Sequence, residues 1–413
     1  MRKDMRIIMM APWLPKLSET FVYREVFGLR ESGIEVLPAS VHHPGTDWNG
    51  LQLGALAEET IQVYGKGTMA MLLDAVMEAA RHPGISAATL KTAVQDALKA
   101  EDVSTRKGRF KILWQGLGGL ALAGRSRGHR PEHIHAHMAH VPTTIAMYAA
   151  MQLGIGFSFT GHAADIFRDR SLLKQKLERA GFVRCISYWH REFYKGIFDR
   201  SDAEYPVVRC GVDTAETGDA QKGHDGSELI IGVGRLVPKK GFDLLLRALQ
   251  VLKSSGRDCR CRIIGDGPER ANLESLAASL GLQDVVTFEG SMDNKDILAM
   301  LPQADIFALP CRLDATGDKD GIPVVLMEAM AAGICCVSGD LPTIRELITS
   351  GENGWLVPPE DMDALAEILE LMLKDPRNRQ SIAGRGRRRI LEEFSLEINV
   401  QRLKAALLTQ QSV

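Results

Sequence analysis

Two carboxylates with seven residues between them open the reading, in the run Asp320-Gly-Ile-Pro-Val-Val-Leu-Met-Glu328-Ala-Met-Ala-Ala-Gly333. The small and apolar residues after Pro323 read as a short helix stopped by Gly333. That pattern leaves Asp320 on the preceding loop, where its carboxylate and the amides of Gly321, Ile322 and Val324 can face one ligand. Pro323, with no amide hydrogen, suits the first helical turn. Free amides at a helix start suit an anion or sugar hydroxyls. Glu328 lies more than a turn further in, where a carboxylate can accept both hydroxyls of a ribose. The plainer alternative is a surface Asp and a capping Glu.

A second cluster is Gly232-Val-Gly234-Arg235-Leu-Val-Pro-Lys239-Lys240-Gly241. Glycine lets a backbone approach a ligand, and Arg235 and Lys240 carry the charge a diphosphate needs. Charge-assisted bonds to phosphate are worth roughly 1.5–3 kcal/mol each before desolvation. No Gly-Lys-Ser/Thr triplet follows, and Val237 breaks the Gly-x-Gly-x-x-Gly fingerprint. Gly265-Asp-Gly267-Pro268 is a third cluster, equally readable as a tight strand-to-helix turn, just as the basic residues are readable as solvated. What argues for a site is that all three occur in one order at matching strand ends.

In the first half, Thr160-Gly-His162-Ala-Ala-Asp165 follows an apolar run, which places His162 at the end of a strand, where open α/β sheets bind ligands. Asp165 can orient that imidazole or cap the next helix. His133, His135 and His137 alternate onto one strand face. With no cysteine or carboxylate cluster nearby in sequence, they read as something other than a metal row. No metal and no cofactor are expected.

The elements that must carry these residues follow from apolar strands alternating with amphipathic helices, the pattern of a parallel sheet covered on both faces. The spacing predicts strands at 6–11, 36–41, 134–137, 157–160, 183–187 and 204–208, with Ser18 capping a helix that runs to about Ser32. A polar, Gly-rich stretch at 210–228 reads as a linker. Further strands are expected at 229–233, 261–264, 285–288, 306–309, 335–337 and 354–357. The expected organisation is a Rossmann-like domain over 1–209 with a helical insertion at about 66–130, a second over 229–395, and a helix over 396–413 crossing back to the first. Two doubly wound α/β domains facing across a cleft suit 413 residues.

Hydrophobic content of 45%, charged content of 25% and a net charge of -2 are those of a globular protein with no electrostatic call for nucleic acid. The seven cysteines form no Cys-x-x-Cys pair and read as buried thiols of a reducing compartment. The apolar run at Ile7 is too short for a signal peptide or a membrane span, so a cytoplasmic protein is expected. From Val103 to Arg130 there are seven basic residues and no acid, around Phe110 and Trp114. That composition suits an anionic membrane surface or a packed helix with a solvated basic edge.

The motifs Gly-Val-Gly-Arg-Leu-Val-Pro-Lys-Lys-Gly, Ile-Gly-Asp-Gly-Pro-Glu and Asp-Gly-Ile-Pro-Val-Val-Leu-Met-Glu, continued by Asn353-Gly-Trp-Leu-Val-Pro-Pro, resemble those of the retaining glycosyltransferases of family four, which have the GT-B architecture. The resemblance covers residues 229 to 395 and, more thinly, the first domain. It implies that Arg235 and Lys240, with Gly234 and Gly267, hold the donor diphosphate. It also implies that Glu328 binds the donor ribose, and that Asp320 binds the donor sugar with the amides of Gly321, Ile322 and Val324. Base recognition falls to main chain around Phe288 to Met292, with Gly290 in it. His162 matches the family's histidine beside the transferred sugar. Asp320 departs from the usual Glu by one methylene, which bears on sugar choice and rate. Leu17-Ser18-Glu19-Thr20 and the His-Ile-His-Ala-His run resemble the subgroup that makes bacterial exopolysaccharide and lipopolysaccharide, and make Ser18, Glu19, Thr20 and His137 candidate acceptor contacts. The resemblance thus implies hexosyl transfer from a UDP- or GDP-sugar to a surface saccharide or lipid-linked acceptor, at the inner face of the cell membrane if peripheral. Alternatives on the same fold are a sugar-nucleotide epimerase, a disaccharide synthase, and a non-catalytic nucleotide-binding scaffold.

Overall fold

The run Ile7-Ile8-Met9-Met10-Ala11 is apolar at every position, as a strand covered on both faces must be. It forms β1 (Arg6–Ala11), fully buried from Ile7 on. The computed structural model describes all residues except 1–4, 18, 46–50, 101, 104, 163–169, 215–227, 316, 318–320 and 411–413. The chain divides into two units, Met1–Arg209 with Asn399–Val413, and Cys210–Ile398.

In the first unit, β1 is followed by α1 (Thr20–Glu31), β2 (Glu35–Ser40), α2 (Leu51–Glu59) and β3 (Ile61–Gln62). Three long helices come next, α3 (Thr68–Arg81), α4 (Pro83–Lys99) and α5 (Arg106–Ser126). The unit continues through β4 (His133–His137), α6 (Val141–Leu153), β5 (Gly156–Thr160), α7 (Leu173–Arg179), β6 (Phe182–Arg184) and α8 (Tyr188–Lys195). Its six strands are parallel in the order β3-β2-β1-β4-β5-β6. The chain winds outward from β1 in one direction and from β4 in the other. The ends of these two neighbours therefore form the switch point at which such sheets bind ligands.

Helix α5 owes its place to glycine rather than to its basic ends. A Cβ at Gly119 would stand 2.7 Å from the Tyr148 Cβ, so α5 and α6 pack closer than side chains would permit. Arg125 of α5 donates to Asp74 of α3 at 2.7 Å, and Arg127 pairs with the buried Glu78. Tyr148 and Arg179 both donate to Asp96 of α4.

The predicted strand at 204–208 is not a strand. It runs beside β6, where Val183 and Cys185 donate to Glu204 and Pro206 carbonyls and Val208 donates back to Cys185. Only the Cys185–Val207 pair bridges. Pro206 has no N–H to extend a ladder. Ser187 is not in a strand either: it caps α8, its Oγ accepting from the His190 amide at 3.2 Å. Ser18, expected to cap α1, lies outside the described residues; α1 begins at Thr20 behind Glu19, whose side chain caps nothing.

The second unit repeats the plan with β7 (Glu228–Val233), α9 (Phe242–Ser254), β8 (Cys259–Ile264), α10 (Arg270–Ser279), β9 (Val286–Gly290) and α11 (Asn294–Met300). It goes on through β10 (Ile306–Leu309), α12 (Val324–Ala331), β11 (Cys335–Gly339), β12 (Trp355–Val357), α13 (Met362–Lys374) and α14 (Pro376–Arg389). The sheet is parallel in the order β12-β11-β10-β7-β8-β9, so its switch point lies between β7 and β10. A π-helical turn, Ile390–Phe394, ends the helical run, and extended Ser395 pairs with Val212.

The last helix, α15 (Leu396–Thr409), belongs to the first unit from Asn399 on. Asn399 Oδ1 accepts from the Arg209 amide at 2.9 Å, Val400 fills the space that Gly28 leaves open, and Lys404 donates to the Ser32 carbonyl. All seven cysteines are free; six are buried and Cys210 is partly so. Burial pushes the Cys259 thiol up to about 11 and Cys335 up to about 12. No helix among the described residues is long and apolar enough to cross a membrane.

Candidate functional site

At the switch-point end of the second sheet, three loops are tied to one another through their backbones. Gly234 donates to Ile264 O at 3.0 Å, Leu236 to Asp266 O at 2.9 Å, and Gly265 to Gly290 O at 2.8 Å. The glycines are what allow this. Gly265 sits at φ +138°, and a Cβ there would fall 2.0 Å from the Gly234 carbonyl oxygen; one at Gly267 would fall 2.4 Å from Leu236 O. In the sequence these glycines read as room for a ligand; their first duty is room for one another.

Lys240 lies along Gly234, with its Cδ and Cε 3.5 Å from where a Cβ would be. Arg235 is exposed and has no ion-pair partner among the described residues. The loop bearing these cations is clamped from β10 by Arg312, a residue that no sequence motif marks. Its amide donates to Lys239 O, its Nε to Pro238 O at 2.9 Å, and its guanidinium pairs with Asp243 and Glu360. Gly241, at φ +70°, lets Pro310 press against it.

Glu328 is 3% exposed on α12, and its Oε1 accepts from Asn294 Nδ2 at 3.1 Å. This bond fastens α12 to the start of α11, just after Gly290. Gly290 (φ +76°) is itself covered by Arg270. Pro323 stands one position outside the helix, which starts at Val324; its carbonyl takes the Leu326 amide at 3.1 Å. The amides of Gly321, Ile322 and Val324 donate no hydrogen bond among the described residues. Gly321 O accepts from Thr343 at 3.3 Å. Asp320 lies outside the described residues. The structure thus brings together Gly234, Lys240, Gly265, Gly267 and Gly290, and bonds Glu328 to Asn294 at the start of α11. The Arg235 side chain stands apart from that network.

The first unit places a second group at the ends of β4 and β5. His137 is fully buried, its Nε2 3.0 Å from Glu25 Oε1 and its Nδ1 3.4 Å from His162 Nε2. Glu25 also pairs with Arg184, which is 1% exposed and donates to Val208 O and Arg209 O. Burial alone would raise the Glu25 carboxyl, but Arg184 and then His137 outweigh it and hold it well below the usual range. An ionised carboxylate only accepts, so His137 Nε2 carries a proton towards Glu25. Burial, with His137 and Arg184 adding to it, holds the His162 pKa well below its ordinary value. That favours a neutral His162 ring just past the end of β5. Both ring nitrogens of His137, expected to contact the acceptor, have protein partners, Glu25 and His162.

Glu25, His135 and His137 bring ligand atoms within 4.8 Å of one another, a set that could in principle hold an ion. Each already has other work. His135 is bonded to Ser158 Oγ at 2.7 Å and Thr160 Oγ1 at 2.9 Å, and Arg184 supplies the positive charge beside Glu25. His133 shares Ser158 at 2.8 Å, and burial pushes its pKa down to about 4. At the end of β1, Glu19 pairs with Lys16, whose ammonium lies 4.7 Å from the Trp13 ring centroid. Thr20 is buried at the first position of α1. Asp165 and Ser18 lie outside the described residues. Glu25 could have been suspected from the sequence, as an acid among the buried Val22, Val26 and Leu29 of one helix.

Residues 215–389 match the family model described as glycosyl transferases group 1. Over 205 residues, 49% of the chain and 50% of the relative, the sequence is 37% identical to a putative colanic acid biosynthesis glycosyltransferase, WcaL, of Salmonella typhimurium. It is 30% identical over 248 residues to a GDP-mannose-dependent alpha-(1-6)-phosphatidylinositol monomannoside mannosyltransferase of Mycolicibacterium smegmatis, 58% of this chain and 65% of that one. The chain spans about half the length of the curated relatives it matches. In three dimensions it is similar to the Anabaena protein HepE, solved with UDP, at a TM-score of 0.69 and 15% identity over 98% of this chain and all of that one. At that identity the likeness is one of fold.

Proposed function

We propose that this chain, whose second unit is a group 1 glycosyl transferase domain in a two-unit GT-B fold, is a retaining hexosyltransferase using a UDP- or GDP-sugar. The observation that carries the proposal is the bonded set of loops after β7, β8 and β9, with Lys240 lying along Gly234, in the same unit as a buried Glu328 carboxylate and helix-start amides that donate no hydrogen bond among the described residues. Cations and amides suit the diphosphate; Glu328 suits the ribose diol; the backbone near Gly290 suits the base. Asp320 and the amides of Gly321, Ile322 and Val324 would then hold the sugar.

In the proposed step, the bond between the sugar's anomeric carbon and the diphosphate oxygen breaks as the acceptor oxygen bonds to the same face. The acceptor's proton passes to the departing phosphate oxygen. Arg235 and Lys240 stabilise the negative charge growing on the diphosphate, an effect worth about 10²–10³ in rate per well-placed donor. They do so without a metal, and transfer abolished by a chelator would refute that part. His162, just past the end of β5, contacts the transferred sugar or the donor phosphate. The acceptor is a surface saccharide or its lipid-linked precursor, met on the first unit near Ser18, Glu19 and Thr20. The relatives named for colanic acid and for a phosphatidylinositol mannoside support such an acceptor.

Calorimetry with UDP and GDP tests the reading: one of the two should bind, and silence at millimolar concentration for both would overturn it. Glu328→Ala should weaken nucleotide binding by about tenfold or more. Asp320→Ala should leave it near wild type and slow transfer.

A further inference from the structure

Of the fifteen large hydrophobic side chains exposed among the described residues, eight lie between Met69 and Phe110. On α3, Met69, Leu73, Val76 and Met77 recur with the period of one helix face and are 45–70% exposed. On α4, Val94 and Leu98 stand one turn apart on an exposed face that also bears Lys91. A face this apolar asks to be covered, and the charges around it say by what.

Every carboxylate between Lys66 and Ala100 is turned away from that face. Asp74 pairs with Arg125, Glu78 with Arg127, and Asp96 with Arg179 and the Tyr148 hydroxyl. Lys66, Arg81, Lys91 and Lys99 remain exposed. Among the described residues the next carboxylate along the chain is the exposed Asp102, beyond the end of α4; Glu101 lies outside them. Arg125, near the end of α5, and Arg127, just after it, are therefore spent on neutralising α3 from within. Among the described residues, the exposed side chains of α3 and α4 thus include apolar and basic groups but no carboxylate, Asp74 being partly covered by Arg125.

We infer that the α3–α4 face of the first unit docks on an anionic lipid membrane, with Leu73, Val76 and Leu98 entering the headgroup boundary and Lys91 and Lys99 meeting lipid phosphate. An apolar face rimmed with lysine, with no fully exposed carboxylate on α3 or α4 among the described residues, is what such a surface binds. A second copy of this chain fits poorly, because it would set lysine against lysine. The purpose of the contact rests on the transferase reading, since a lipid-linked acceptor lies in that surface; the physical case for it does not.

Co-flotation of the full chain with vesicles tests the proposal. The protein should float with phosphatidylcholine–phosphatidylglycerol vesicles at low salt, float less at physiological salt, and ignore phosphatidylcholine alone. Leu73→Glu with Val76→Glu, both at exposed helical positions, should reduce binding at least about tenfold. Lys91→Ala or Lys99→Ala should each reduce it about fivefold. Leu371→Glu, at an exposed position of the second unit, should change nothing. Absence of flotation at low salt, or flotation indifferent to the Leu73/Val76 pair, overturns the inference. So does a dimer that this pair dissolves in a protein that never floats, which would assign the face to protein. Thermal shift with UDP and GDP on the same samples keeps the two readings apart. Nucleotide binding without flotation sinks only the membrane contact, and flotation without nucleotide binding sinks only the transferase.

Discussion

Removing the charge of Glu25 should cost about 3–5 kcal/mol, because Arg184 beside it is itself buried and would be left uncompensated. Urea unfolding of Glu25→Gln measures this. A loss under about 1 kcal/mol would mean that the Val208 and Arg209 carbonyls alone satisfy the guanidinium. Residues of this kind were hard to read in the sequence: Glu25 and Arg184 are 159 positions apart, and neither sits in a motif. Arg312 escaped for the same reason, since its partners Asp243 and Glu360 are defined only once the sheet is wound. Local conformation was easier. Gly234, Gly265 and Gly267 announce close backbone approach by their type alone, though not which backbone approaches.

Among the elements, the loops after β7, β8 and β9 behave as one unit because Gly265 lets two of them touch. Gly265→Ala carries both a strained φ and a 2.0 Å clash with Gly234 O, and should cost about 1–3 kcal/mol or more. Gly256→Ala also has a positive φ, +75°, but meets nothing within 4 Å, and should cost about 1 kcal/mol. Denaturant titration of the pair separates the clash from the φ strain. If the two variants lose equal stability, the loops are not in the contact described. Strands such as β1 and β10 were legible to the residue, since uninterrupted apolar runs leave little choice of ends. The stretch at 204–208 misled because Val207 and Val208 look like strand residues, while the ladder depends on the N–H that Pro206 lacks.

On the scale of the whole molecule, α15 gives the first unit a piece drawn from the far end of the chain. Val400, Leu403 and Leu407 are buried, each worth about 1.5–3 kcal/mol. Ending the chain at Ile398 should therefore unfold or severely destabilise the first unit and leave the second folded. Limited proteolysis would show a resistant fragment starting near Cys210, and a truncated chain as resistant as the full one would refute it. Two doubly wound sheets were legible from the alternation of strand and helix runs, which survives any uncertainty at single boundaries. The arithmetic of the thiols makes the halves separately countable. Cys185 is the buried thiol of the first unit, while Cys259, Cys261, Cys311, Cys335 and Cys336 are buried in the second. An alkylating dye added during partial unfolding would add one mass increment when the first half opens and five when the second does, so mass spectrometry could name the half that yields without any engineered probe.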